Sequence, residues 1–320
     1  IRRSDMISIH FQKRLLVTLI AAFAGAALAG PLAYVPNEKS ATVSVIDTAT
    51  DQRLGDMPAG QRPLGIAAGD GRLYLTDGKT GSLLIIDTVA GKLLKTIPVG
   101  ESPEGVSLSA DGKLLAVAVE DDNSVVLLAA PLGKELARIK VQGKNPEHAV
   151  FSPDGRWLYV SAEEAEQVDV VDVKARKQVA SIPVGKRPRG IGFLPDGSRA
   201  YVASEMAGKV YAIDVAERRV VAEITAGQYP NGIAVHPDGK RVFVSNVRDP
   251  SVMAIDVASN TVVATIEVGK RPWNMAITPD GAKLYVANGR SSTVSVIDTV
   301  SYKKLADIEV GELPWGVSIR

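Results

Sequence analysis

Seven turns of the form Gly-x-x-Pro punctuate the chain, and the residue after each proline changes chemical character from one turn to the next. Those residues are Leu64, Glu104, Glu147, Arg189, Asn231, Trp273 and Trp315, and the positions after them are Gly65, Gly105, His148, Gly190, Gly232, Asn274 and Gly316. Two carboxylates, an imidazole, a guanidinium, two amides and two indoles suit a ligand mouth with aromatic walls and a few polar groups. The residues expected to touch a ligand are Arg189, Asn231, Trp273, Asn274 and Trp315. Were the site catalytic, Glu104 or Glu147 beside His148 and Arg189 could orient and polarise a lactone or ester. No catalytic residue is assigned outright. A channel merely lined by residues that tolerate crowding fits the same pattern.

Other chemistries find little support. The chain has no cysteine and only three histidines, of which His148 and His236 lie beyond the first 29 residues. His236 precedes Pro237-Asp238-Gly239, which places it at the opposite end of its strand from the Gly-x-x-Pro turn. No pair of histidines is therefore available on one face, and no metal ligand is assigned. Neither a GxSxG elbow nor a phosphate loop is present, and no cofactor is expected.

The elements that position these residues follow from a repeat. The runs VSVID, LLIID, VDVVD, VYAID, VMAID and VSVID end at Asp47, Asp87, Asp172, Asp214, Asp256 and Asp298, with a degenerate copy ending at Ala129. Successive copies are 40, 42, 43, 42, 42 and 42 residues apart. Each holds four short runs rich in β-branched residues and bounded by turn residues, which read as four strands. None shows the 3.6-residue apolar period of a helix. Four strands in about 42 residues, seven times over, predict an all-β, seven-bladed propeller over residues 30–320. The last copy stops at GELPWGVSIR, a turn and one strand, whereas LAYV from Leu32 reads as a second strand. The ring is expected to close by these two segments sharing one blade, which hides strand edges. The repeated Asp, placed at a strand end before Thr or Val, reads as an Asx-turn residue rather than a metal ligand.

The first 29 residues read differently. From Met6 they carry Lys13 and Arg14, an apolar stretch from Leu15 to Leu28, and Ala27-Leu28-Ala29. This is the pattern of a secretory signal peptide, too short in its apolar part for a membrane span. Taking its four basic residues and one acid from 37 and 36 leaves 33 basic and 35 acidic residues, a net charge of −2. Nucleic-acid binding, which needs a basic footprint, is not expected, nor is a membrane span after the signal is removed.

The phrases LYVAN, VSVIDT, ATIEVGKRP and ITPDGAKLYV resemble the YVTN-type bacterial β-propeller repeat across residues 30–320. The Cys-free, seven-repeat form with a signal peptide resembles the periplasmic propeller family associated with PQQ-dependent alcohol catabolism. That resemblance implies a periplasmic, non-catalytic binding or accessory role, with a quinoprotein dehydrogenase or an ABC transporter component as a partner and a small molecule as a ligand. The Trp-docking pattern of eight-bladed quinoprotein dehydrogenases is missing, so PQQ itself is not assigned. The alternatives are a lactonase-like hydrolase or isomerase working at the channel mouth, by analogy with other seven-bladed propellers, and an architectural or protein-interaction propeller. The exported protein should begin at Gly30: mass spectrometry of periplasmic material should find that terminus, and an uncleaved cytosolic species would refute the assignment.

Overall fold

The computed structural model describes residues 30–320; the expected signal peptide lies outside the described residues. Twenty-eight strands run from β1 (Leu32–Asn37) to β28 (Ser318–Ile319) and form seven four-stranded antiparallel sheets, with no helix among the described residues. Six sheets are built from consecutive strands. Their inner strands are β4 (Pro63–Gly69), β8 (Pro103–Leu108), β12 (Pro146–Phe151), β16 (Pro188–Phe193), β20 (Pro230–Val235) and β24 (Pro272–Ile277). The seventh has the order β28, β1, β2 (Thr42–Asp47), β3 (Gln52–Pro58), so the two ends of the described chain share one blade as expected. The join is specific: Ala33 pairs with Ile319 and Tyr34 with Ser318. Leu32 and Arg320 exchange backbone hydrogen bonds at 2.6 and 2.9 Å, and Trp315 N donates to Pro36 O at 2.9 Å.

Burial follows position in the blade. The second strand of each blade is buried over five of its six residues, as in LYVSA of Leu158–Ala162 and LYVAN of Leu284–Asn288. These apolar runs face a neighbouring sheet on both sides, which is why they do not alternate. The outermost strands are exposed and rich in Lys, Arg and Glu, which blunts an edge that could pair with another chain. Each outer pairing also carries a register shift at the same place, such as Val170/Val171 and Ala254/Ile255, and bulges of this kind add twist to the edge. The repeated Asp forms local turns: Oδ1 accepts from the backbone N–H of Ala49 onto Asp47, Val89 onto Asp87 and Glu217 onto Asp214 at 2.8–2.9 Å.

Val317 is 8% exposed and packs among Ala33, Val35, Ile46 and Tyr285, which draws the closing segment into the core between two blades. Val317→Asp should lower stability by about 3 kcal/mol or more, since an unpaired carboxylate would be buried. Val300→Asp, on a loop where the side chain is 73% exposed, should change it by about 0.5 kcal/mol or less. Equal unfolding midpoints for the two variants in urea titrations would refute this account of closure.

Candidate functional site

Inner strands begin irregularly, and this creates the site. After each proline the ladder with the second strand skips, for example between Pro188 and Ile191, Pro230 and Ile233, and Pro272 and Met275. The residues in the gap leave the sheet and crowd the channel axis. All seven expected positions line one cavity of about 1140 Å³ at the channel mouth: Leu64, Glu104, Glu147, Arg189, Asn231, Trp273 and Trp315. The residue before the proline has positive φ at Ser102, Asn145, Arg187, Tyr229, Arg271 and Leu313, a left-handed conformation uncommon away from glycine. Its carbonyl there accepts an N–H from the hairpin between the second and third strands, as from Glu205 to Arg187 at 2.8 Å and from Gly289 to Arg271 at 2.9 Å.

That hairpin contributes a ring the Gly-x-x-Pro turn does not reveal: Glu38, Gly78, Glu120, Glu163, Glu205, Val247 and Gly289. The repeat could have exposed it, because these residues immediately follow the second strand and are spaced 40, 42, 43, 42, 42 and 42 apart. Four of the seven are glutamates.

Below the mouth lies a tier of glycines. A Cβ at Gly65 would come within 2.4 Å of Glu104 O, one at Gly190 within 2.5 Å of Asn231 O, and one at Gly232 within 2.5 Å of Trp273 O. Adjacent inner strands approach too closely there for any side chain. His148 and Asn274 are the two exceptions. The His148 ring stacks on Trp315 across the channel, with centroids 5.6 Å apart and planes at 21°. Trp315 is therefore part of a floor rather than a free wall. His148 Nδ1 is buried without a hydrogen-bond partner among the described residues. Burial holds its pKa below the ordinary histidine value despite the Glu147 charge, so the ring is neutral. His236 lies at the other end of its strand, where Nε2 meets Gly281 O at 2.9 Å.

One side of the mouth is acidic and saturated with ion pairs. Arg189, 14% exposed, meets Glu147 at 2.6 Å, Glu163 at 3.2 Å and Glu205 at 3.1 Å. Arg187 also pairs with Glu163 and Glu205. Burial alone would lower the pKa of Arg189, but the charges of Glu147, Glu205 and Glu163 outweigh it and raise it. Three glutamates pair with these two guanidiniums while Glu104 and Glu120 stand nearby without an ion pair among the described residues, so protons make up part of the difference. Burial, with the charge of Glu147 added, pushes Glu104 up to about 9. Burial and the charges of Glu147 and Glu163 push Glu120 up to about 7. Carboxylate oxygens of Glu120, Glu147 and Glu163 lie within 4.8 Å of one another, near enough for a cation. Arg189, bonded to two of the three, already supplies positive charge there.

The other side is aromatic and cationic. Arg271 lies over Trp273 with its guanidinium carbon 4.4 Å from the ring centroid, and Arg248 lies over Tyr229 at 3.9 Å. Lys270, Arg290, Asn231 and Asn274 complete this side. The two Gly-Lys-Arg-Pro turns therefore differ: Arg187 is committed to carboxylates, whereas Arg271 has none within 4.0 Å among the described residues.

The chain is similar to two propeller families. The model of a seven-bladed β-propeller lactonase family matches residues 173–305, and that of a YNCE-like β-propeller family matches residues 106–238. The lactonase match takes in Arg189, Asn231, Trp273 and Asn274 but stops short of Glu104, Glu147 and His148. The comparison with curated proteins found no match. Among solved structures, the chain resembles hydrazine synthase of Kuenenia stuttgartiensis, with a TM-score of 0.77 and 21% identity over 88% of this chain and 99% of that one. It also resembles a functionally unknown protein from Desulfotomaculum acetoxidans, with a TM-score of 0.77 and 18% identity over 90% and 98%. At such identities the likeness concerns the fold.

The buried acid makes stability depend on pH. Because the folded pKa of Glu104 lies above its ordinary 4.5, the native state binds the extra proton. Its contribution is fully present below about pH 4.5 and is lost as pH rises through about 9. Glu104→Gln keeps a neutral hydrogen-bonding group and cannot ionise. It should raise the thermal midpoint by a few degrees at pH 9 and by less at pH 5. An equal shift at both values would show that Glu104 does not titrate in this range.

Proposed function

We propose that the protein is a non-catalytic binding protein that takes a small organic molecule at the channel mouth. The observation that carries this reading is the commitment of the groups an acid–base mechanism would use. Arg189 spends its donors on Glu147, Glu163 and Glu205, and His148 is stacked beneath Trp315. Neither is free to polarise a carbonyl. Trp273, Asn231 and Asn274 line the same cavity outside that ion-pair cluster and supply an apolar wall and hydrogen-bonding amides. The resemblance of the repeats to the propeller of PQQ-dependent alcohol catabolism supports a periplasmic setting, in oxidation of alcohols or linked transport. A quinoprotein dehydrogenase or an ABC transporter component is the partner that setting implies.

Lactonase-like hydrolysis or isomerisation is the competing reading, favoured by the family similarity over residues 173–305 and by Glu104, which holds a proton that an acid catalyst could donate. A panel of lactones, alcohols and carboxylic acids separates the two, with ring opening and tryptophan fluorescence followed on the same samples. Binding without turnover is expected. Trp273→Ala should weaken it about tenfold or more through loss of the aromatic wall. His148→Ala should cost no more than a neutral hydrogen bond, about 0.5–1.5 kcal/mol. Lactone turnover by the native protein that falls by about 10²–10⁴ in a folded His148→Ala variant would overturn the binding reading.

A further inference from the structure

The hairpin ring lacks a glutamate in three blades: at Gly78, where Arg62 pairs instead with Glu38 of the preceding blade, and at two adjacent blades, where Val247 and Gly289 stand. The cations are nonetheless present in those two. Arg248, Lys270, Arg271 and Arg290 line the cavity, and none has a carboxylate within 4.0 Å among the described residues. The blade before them shows what the repeat does when both partners are present. Arg187, before its proline, pairs with Glu205 at 3.1 Å, while Glu205 N donates to Arg187 O at 2.8 Å. Arg271 and Gly289 occupy the same two positions, joined by the same backbone bond at 2.9 Å. The guanidinium is in place and the carboxylate is missing.

We propose that this gap is a carboxylate-binding site: a ligand carboxylate takes the place that Glu205 fills beside Arg187, paired to Arg271 and Arg290, with the ligand's planar apolar body against Trp273. This rests on the reading of the mouth as a binding site and specifies its ligand class.

Three features support it. Glycine at position 289 brings no acid of its own to Arg271, and the Trp273 ring packs 3.2 Å from where a Cβ would stand, so the aromatic wall lies directly beside the unpaired guanidinium. The cation–π contact at 4.4 Å holds the Arg271 guanidinium against that wall. Arg271 is partly buried beside a second cation: burial first, and then the Arg290 charge, lower its pKa, while Glu38 and Glu205 attract it only from beyond 4.0 Å. An arriving carboxylate relieves that repulsion and forms charge-assisted hydrogen bonds, which a planar guanidinium can make in pairs. A neutral isostere gains neither.

The test uses benzoate and benzamide as probes of one shape and two charges, with binding read by calorimetry and tryptophan fluorescence. The native protein should bind benzoate about tenfold or more tightly than benzamide. Arg271→Gln should weaken benzoate about tenfold or more and remove most of its advantage over benzamide. Gly289→Glu restores the missing acid and should displace benzoate to a similar degree; if the tight contact with Trp273 prevents folding, Arg271→Gln still decides. Equal affinity for both probes, no saturable benzoate binding, or benzoate affinity untouched by Arg271→Gln would each overturn the proposal. Benzamide binding that is lost in Trp273→Ala would, in that event, leave the mouth as a binding site without carboxylate selectivity.

Discussion

Seven inner strands must converge on one axis, and the backbone contact this enforces governs most of what the channel can hold. At Gly65, Gly190 and Gly232 the next blade's carbonyl stands within 2.5 Å of any Cβ, so no side chain fits. Functional groups are thereby expelled to the tier above, where residues 64, 104, 147, 189, 231, 273 and 315 leave the ladder and face the mouth. Hydroxyls on the second strands reinforce the contact in some blades. Thr76 Oγ1 accepts from Gly65 N at 2.8 Å and donates to Glu104 O at 2.5 Å, and Ser245 does the same between Gly232 and Trp273 at 2.9 and 2.7 Å. Ring geometry and site geometry are one constraint.

That constraint is symmetric, whereas the charge on it is not. Glutamates cluster on the side holding Arg189, and unpaired arginines cluster opposite. Desolvated carboxylates so close together cannot all ionise, and proton uptake at Glu104 and Glu120 is the physical response. The charge of the acidic half is thus reduced by two arginines and by protons. The cationic half has no equivalent remedy within the described chain, because a guanidinium does not give up its proton at ordinary pH.

The architecture was legible because a repeat of about 42 residues with four strand-like runs leaves few alternatives, and because the split blade is written at Leu32–Pro58 and Ser318–Ile319. The mouth ring was legible through the Gly-x-x-Pro turn. The hairpin ring was equally periodic, but glutamate after a strand is ordinary in sequence, and only the bend that brings Glu163 and Glu205 onto Arg189 gives it meaning. The His148–Trp315 stack could not be read at all. It joins blades that are far apart in the chain and depends on a channel narrow enough for two rings to meet across it.

That stack also determines what kind of cavity this is. His148 and Asn274 are the only side chains in the glycine tier, and Trp315 reaches across to cover the imidazole. A propeller with glycine at all seven positions could keep an open tube along its axis. Here the tube is obstructed beneath the mouth, so a molecule entering from the loop side meets a floor of aromatic and amide groups. Two chemically different walls then flank it, one whose charges are already spent and one whose charges are free. A neutral imidazole suits such a floor: a charged one would need desolvation beneath Trp315, and burial has already settled that balance in favour of the uncharged ring. With the axis filled by that stack, the groups that face solvent at this end are those of the mouth, and its two walls set their chemistry.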